Sequence, residues 1–264
     1  MNWIMLAVAA MMLIASGAEA EMVERKIGYE IDGRKFEGAL VYDDAVAGKR
    51  PAILMEPDWA GVGAKAIAQA REVAGKDYVV FVADLYGDGY APKDTQEMRT
   101  TSFAVRSDVN LSRTRGGKAL EIMLAEGGKL GVIDPTKIAG IGFCIGGGML
   151  LDLARAGREL KAIAVFHVTF PQSADPSGES QLKSKVLVLH GADDPVTPRK
   201  AIAALEDELD AAKVTWQTVL FSGTVHSYTD VTATEPAAAK VQRYDAEIAK
   251  RSYAAMREFF AGAL

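Results

Sequence analysis

Short, unbroken apolar runs alternate along this chain with segments whose apolar residues recur every three to four positions. The runs are "PAILME" at 51–56, "YVVFVA" at 78–83, "KIAGIGF" at 137–143, "AIAVFHV" at 162–168, "KVLVLH" at 185–190 and "VTWQTVLF" at 214–221. Their continuity is the pattern of strands covered on both faces. Between them lie helical segments. "AKAIAQAREVAG" stops at Gly75, and "GGGMLLDLARAG" closes at Gly157. "PRKAIAALEDELDAA" has Pro198 near its start, a favoured place for proline. A further helical stretch is expected from about Thr101 to Glu126, broken near Gly116-Gly117, and a long helix from Pro236 to the C-terminus. Nearer the N-terminus, "MVERKIGYEIDGRKFEGALVYDD" reads as two strands around an Asp32-Gly33 hairpin turn. The alternation predicts an α/β fold, a mainly parallel central sheet with helices on both faces. Residues 21–264 read as one domain. Ligands of such sheets sit beyond the carboxyl ends of the strands. The chemistry is therefore expected in the loops after "PAILME", "FVADL", "AGIGF", "VLVLH" and "VLFSG".

The N-terminus departs from this pattern. "IMLAVAAMMLIAS", from Ile4, is followed by "AEA" at Ala18–Ala20. An apolar run too short for a comfortable bilayer span, followed by small-x-small, is the pattern of a secretory signal. Residues 1–20 are expected to be a cleaved signal peptide, the mature chain starting near Glu21 and exported. An uncleaved anchor is the alternative, because "MNW" supplies no basic side chain. The formal net charge is −5 and no Lys/Arg cluster stands out, so nothing points to nucleic acid as a partner.

Among 264 residues there is one cysteine, Cys144, in "GIGFCIGGGML". It has no internal disulfide partner. It is either a small buried hydrophobe or a nucleophile, and a lone thiol in an exported protein favours reactivity. Gly142-Phe143-Cys144-Ile145-Gly146 is G-x-C-x-G, the cysteine form of the strand-to-helix nucleophile elbow. Glycines two before and two after let neighbouring backbones approach. The following helix aims free N–H groups at the turn. That favours thiolate and lets the Ile145 amide meet an oxyanion.

A nucleophile needs a base and the base an orienting acid. Of the three histidines, His226 follows the last strand in a loop, whereas His190 ends a strand and His167 lies in an apolar run. "HGADDPVTP" supplies Asp193 and Asp194 as candidate acids. Asp194 is favoured because Pro195 follows and would fix the loop. Cys144, Asp194, His226 is the chain order of α/β-hydrolases. Three scattered histidines and one cysteine make no zinc pattern, and no cofactor is called for.

With these residues in view, the chain resembles the dienelactone hydrolase family of α/β-hydrolases. "GFCIGG" resembles its elbow, "HGADDPVTP" its acid loop, "HSY" its histidine loop, "PAILMEPDWAGV" its first active-site loop and "VADLYGDGYAP" the next. The resemblance implies an α/β-hydrolase fold, a Cys-His-Asp triad and hydrolysis of a small-molecule ester or lactone. It implies the Trp59 amide as second oxyanion donor. It implies an auxiliary carboxylate at Asp58, where the family has glutamate, with Glu56 a nearby alternative. The family's well-studied enzymes hold a substrate carboxylate with arginines after "DLY" and after the "HS" dipeptide. Asp88 and Asp230 stand there, so a carboxylate-bearing substrate is expected to be repelled. Tyr86 and Tyr228 are pocket candidates or packing aromatics. Two rivals to the enzyme reading remain: a binding protein that keeps the fold, and a structural module in which Cys144 bonds another chain.

Overall fold

The computed structural model describes residues 22–170 and 180–264, and the expected signal segment 1–20 lies outside them. Eight strands form one sheet in the order β1-β2-β4-β3-β5-β6-β7-β8. They are β1 (Met22–Ile31), β2 (Arg34–Asp43), β3 (Arg50–Glu56), β4 (Val79–Val82), β5 (Ile133–Phe143), β6 (Ala162–Phe166), β7 (Lys185–Gly191) and β8 (Trp216–Phe221). β1 and β2 form the hairpin expected at Asp32-Gly33, both with positive φ, and β2 also meets β4 antiparallel. From β4 to β8 every pairing is parallel. The sheet is thus mixed and mostly parallel, as an α/β-hydrolase requires.

Alternate residues of the continuous strands feed two cores. Ala52 and Leu54 face α3 (Val109–Leu130), α4 (Ile145–Arg155) and α5 (Arg199–Ala211). Ile53 and Met55 face α1 (Ala64–Ala74) and α6 (Ala246–Ala261). Burial on both faces is why these strands read as unbroken apolar runs. The chain leaves β3 toward β4 on one side and returns to β5 on the other, so the switch in strand order lies between β3 and β5. Ligands of such sheets bind at this kind of switch point.

Two expected boundaries differ. The helical stretch around 101–126 breaks at Ser107-Asp108, between α2 (Thr95–Arg106) and α3, because the Asp108 carboxylate caps α3 by accepting from Asn110 and Leu111. Gly116 and Gly117 lie inside α3, where a Cβ on Gly116 would sit 2.9 Å from Glu56 Oε1. The helix expected from Pro236 is a short 3-10 turn, Pro236–Ala238, and α6 starts only at Ala246. The intervening backbone pairs with the loop after β8. His226 N–H donates to Val241 O at 3.1 Å and Arg243 N–H to His226 O at 3.0 Å. Asp245 then caps α6 through Ile248 N–H.

A Cβ on Gly146 would lie 2.2 Å from Glu56 O and 2.3 Å from Pro57 O, both backbone atoms. Gly146→Ala is therefore expected to lower stability by about 3 kcal/mol, the upper end for overpacking. Gly128→Ala, on the open side of α3 with nothing within 4 Å of the new Cβ, is expected to raise it by up to about 1 kcal/mol. Urea unfolding of the two variants checks both signs.

Candidate active site

Cys144 stands between β5 and α4 with φ 52°, a conformation that non-glycine residues seldom adopt. Three backbone bonds hold it there. Its N–H donates to Phe166 O at 3.0 Å, and its carbonyl accepts from Gly147 at 3.1 Å and Thr169 at 2.9 Å. Ile145 opens α4, so its N–H has no partner within the helix. The glycines at 142 and 146 allow the turn, since a Cβ on Gly142 would meet Gly146 O at 2.5 Å.

Cys144 Sγ lies 3.1 Å from His226 Nε2, and His226 Nδ1 lies 2.7 Å from Asp194 Oδ2. All three are buried. Asp194 Oδ1 accepts from Val196 and Thr197 N–H at 2.7 and 3.1 Å, which leaves Oδ2 to face the imidazole. Asp193, its rival, is exposed, and its N–H bonds Thr224 O. Burial pushes the His226 pKa down, but the neighbouring Cys144 sulfur and the Asp194 carboxylate outweigh it, so the pKa is raised. The other two histidines flank the arrangement. His190 Nε2 donates to Thr197 O at 2.8 Å, 3.6 Å from Asp194 Oδ2. The His167 ring packs edge-on against His226 at 5.0 Å, with Nε2 2.8 Å from Thr229 Oγ1. Burial lowers the pKa of both. Among the described residues no group of three or more His, Cys, Asp and Glu is arranged to hold a metal ion.

The remaining sequence candidates divide. Tyr86 packs in one apolar cluster with Cys144, Ile145, Leu85, Val105, Met149 and Trp59. Its hydroxyl donates to Trp59 O at 2.8 Å. Tyr228 is a core residue, fully buried, with its hydroxyl on Leu189 O. Asp88 is exposed and bonded through its N–H to Lys35 O, in a surface groove with residues of β1 and β2. Asp58 and Asp230 meet on one cation: Lys65 Nζ lies 2.6 Å from Asp58 Oδ2 and 2.8 Å from Asp230 Oδ2. The picture of two bare acids facing the substrate is corrected accordingly. Asp88 lies on the β1–β2 side, and Asp230 shares one ammonium with Asp58.

Lys65 and Thr169 escaped the sequence reading. Thr169 Oγ1 is 3.5 Å from Cys144 Sγ. Lys65 looks like an ordinary surface lysine of an amphipathic helix, and its partner Asp230 lies 165 positions away. Glu56 is also buried, with neither carboxylate oxygen hydrogen-bonded. Burial pushes its pKa up to about 8.

Residues 36–264 match the Dienelactone hydrolase family. This chain belongs to the dienelactone hydrolase family. The solved structure of m3DLH is 32% identical over 92% of this chain and 99% of its own, with a TM-score of 0.84. A dienelactone hydrolase-like promiscuous phosphotriesterase from metagenomic libraries is 33% identical over 93% of this chain and 99% of its own, with a TM-score of 0.82. An uncharacterized protein of Caenorhabditis elegans is 30% identical over 128 residues, 48% of this chain and 80% of its own. Family membership places the chain among dienelactone-hydrolase-like hydrolases, with Cys144, His226 and Asp194 adjacent.

Glu56 gives this dienelactone hydrolase relative a pH-dependent stability. Its folded pKa of about 8 lies above the unfolded carboxyl value. The folded state therefore binds the proton more tightly. The contribution of Glu56 to stability is greatest below about pH 4.3, declines as pH rises, and levels off above about pH 8. Glu56→Gln is expected to flatten this decline. Melting temperatures of both proteins from pH 5 to 9 check it.

Proposed function

We propose that this chain is an exported hydrolase of uncharged carboxylic ester or lactone bonds, acting through Cys144, His226 and Asp194. The observation that carries the reading is the continuous contact from sulfur through imidazole to carboxylate, at 3.1 and 2.7 Å. His226 Nε2, 3.1 Å from the sulfur, accepts the proton of the thiol. The thiolate attacks the acyl carbon, a C–S bond forms, and negative charge moves onto the carbonyl oxygen. The Ile145 and Trp59 amides receive that charge. His226 then protonates the departing alcohol, leaving a thioester. Water loses a proton to His226 and attacks. The C–S bond breaks, the acid departs, and the sulfur regains its charge and the imidazole its proton. Asp194 holds the imidazole tautomer and offsets its positive charge.

The substrate side rests on the lining. Trp59, Leu85, Tyr86, Val105 and Met149 cluster with the cysteine, so the wall beside the sulfur is apolar. The places that hold arginines in carboxylate-binding relatives carry Asp88, on the β1–β2 side, and Asp230, which shares Lys65 with Asp58, so neither supplies a cation for a substrate carboxylate. Both features favour an uncharged acyl group. A phosphotriester belongs in the same substrate panel, because its P=O bond would develop charge toward the same two amides. Export rests on the leader-like residues 1–20, and the proposed mature chain is one domain, 21–264. The N-terminal sequence of the protein recovered outside the cytoplasm is expected to begin near Glu21.

Cys144→Ala and His226→Ala are expected to abolish hydrolysis of a small aryl ester with the circular dichroism unchanged. Asp194→Asn is expected to lower kcat by about 10²–10⁴-fold, and Asp193→Asn to leave it within about threefold of the parent. Iodoacetamide should alkylate Cys144 well below pH 8.5, the region where a free thiol ionises. If alkylation follows a free-thiol profile and the aryl ester is not cleaved, the protein is a binding protein on a hydrolase fold.

A further inference from the structure

Lys65 is the second residue of α1, and its side chain is only 16% exposed. Its two carboxylate partners come from different active-site loops. Asp58 precedes Trp59 in the loop after β3, and Asp230 follows His226 in the loop after β8. We infer that Lys65 is a positioning residue of the hydrolytic site, locking the loop of the Trp59 amide to the loop of His226. The inference rests on the cysteine-hydrolase reading above.

Each arm of this clamp continues into a reacting group. Asp58 O accepts from Gly61 N–H at 3.0 Å, and Asp58 Oδ1 accepts from Ala60 N–H at 2.9 Å. In a trans peptide the carbonyl and the following N–H point in opposite directions. Holding the Asp58 carbonyl against Gly61 therefore aims the Trp59 N–H the other way. Tyr86 fixes the far side of Trp59 through its carbonyl. On the second arm, Asp230 N–H donates to Ser227 O at 2.9 Å, on the residue next to His226. Asp230 Oδ1 accepts from Thr232 N–H and Oγ1–H, which stiffens the same turn. Lys65 thus closes a circuit from the oxyanion donor to the imidazole.

The charges make the circuit tight. Burial pushes the Lys65 ammonium pKa down, but the two carboxylates outweigh this and raise it. Burial pushes Asp230 up, and Lys65 more than reverses it. Without the ammonium, two buried carboxylates would face each other and repel, so the loops would be driven apart rather than merely untied. A displacement of about 1 Å at an oxyanion donor costs on the order of 10²-fold in rate.

Two reactions of the same sulfur separate positioning from folding. Acylation by p-nitrophenyl acetate needs both the thiolate and the oxyanion donors. Alkylation by iodoacetamide forms a C–S bond as iodide leaves, with no charge developing on a carbonyl. In full-length Lys65→Met, acylation is expected to fall about 30- to 100-fold while alkylation at pH 7 stays within about threefold. Lys65→Arg, which keeps both ion pairs, is expected to recover acylation to within about fivefold of the parent. Should Lys65→Met not fold, Asp230→Ala cuts the link while Lys65 stays paired with Asp58, and the same split of about tenfold is expected. Unchanged acylation, or equal losses in both reactions, overturns the clamp. A parent protein that alkylates but is never acylated overturns the hydrolase reading, and the clamp with it.

Discussion

The site depends on one close backbone contact. Gly146, in the first turn of α4, rests against the carbonyls of Glu56 and Pro57 at the end of β3, where a Cβ would stand 2.2 and 2.3 Å from them. β3 and β5 are parallel neighbours in the sheet. Only a residue without a side chain lets the helix start so close to the adjacent strand end. That contact brings the start of α4 against the end of β3, and Trp59, in the loop that follows, packs on the cluster of Cys144 and Ile145. It also forces the sharp turn that leaves Cys144 at φ 52°, a strain of about 1–3 kcal/mol. Bonds to Phe166, Gly147 and Thr169 hold the cysteine in that state.

Around the elbow, buried acids solve the same desolvation problem in three ways. Asp194 pairs with an imidazole and two backbone amides. Asp58 shares an ammonium with Asp230. Glu56 has no cation and no hydrogen-bond donor, and burial keeps it largely protonated near neutral pH. The last solution has an electrostatic consequence. A protonated Glu56 leaves no uncompensated negative charge beside α3, where its Oε1 lies next to Gly116. The charged forms permitted here are those tied to the triad or to the loops that frame it.

Much of this was legible in the sequence, because the signals were local. Unbroken apolar runs marked strands buried on both faces, and G-x-C-x-G marked a turn that needs glycine on both sides of the cysteine. The order Cys144, Asp194, His226 followed from strands already located. What stayed hidden depended on contacts distant in sequence. The segment 239–245 looked helical by composition, yet its backbone is taken up by His226 and Tyr228. Gly116-Gly117 looked like a helix break, whereas the missing Cβ makes room for Glu56. Lys65 was indistinguishable from a solvated lysine until folding set two acids beside it. Thr169, in the loop after β6, carried no pattern that tied it to the sulfur.

Taken singly, Asp58 and Asp230 look like losses: a shorter auxiliary acid and a missing carboxylate-binding arginine. Lys65 makes them one device. The cation is present, but two acids of the protein occupy it, so the cluster carries a net negative charge and offers a substrate carboxylate no favourable partner. On the proposed hydrolase reading, specificity then comes from the apolar wall beside the cysteine. Burial of apolar surface contributes about 25 cal/mol per Å², and one methylene discriminates by only about 1–3 kcal/mol. Under that reading, a wall governed by these terms selects acyl groups by size and shape and tolerates chemical variety. The proposed Lys65 clamp would then supply inside the protein the rigidity that a carboxylate clamp supplies on the substrate, joining the loop of Trp59 to the loop of His226.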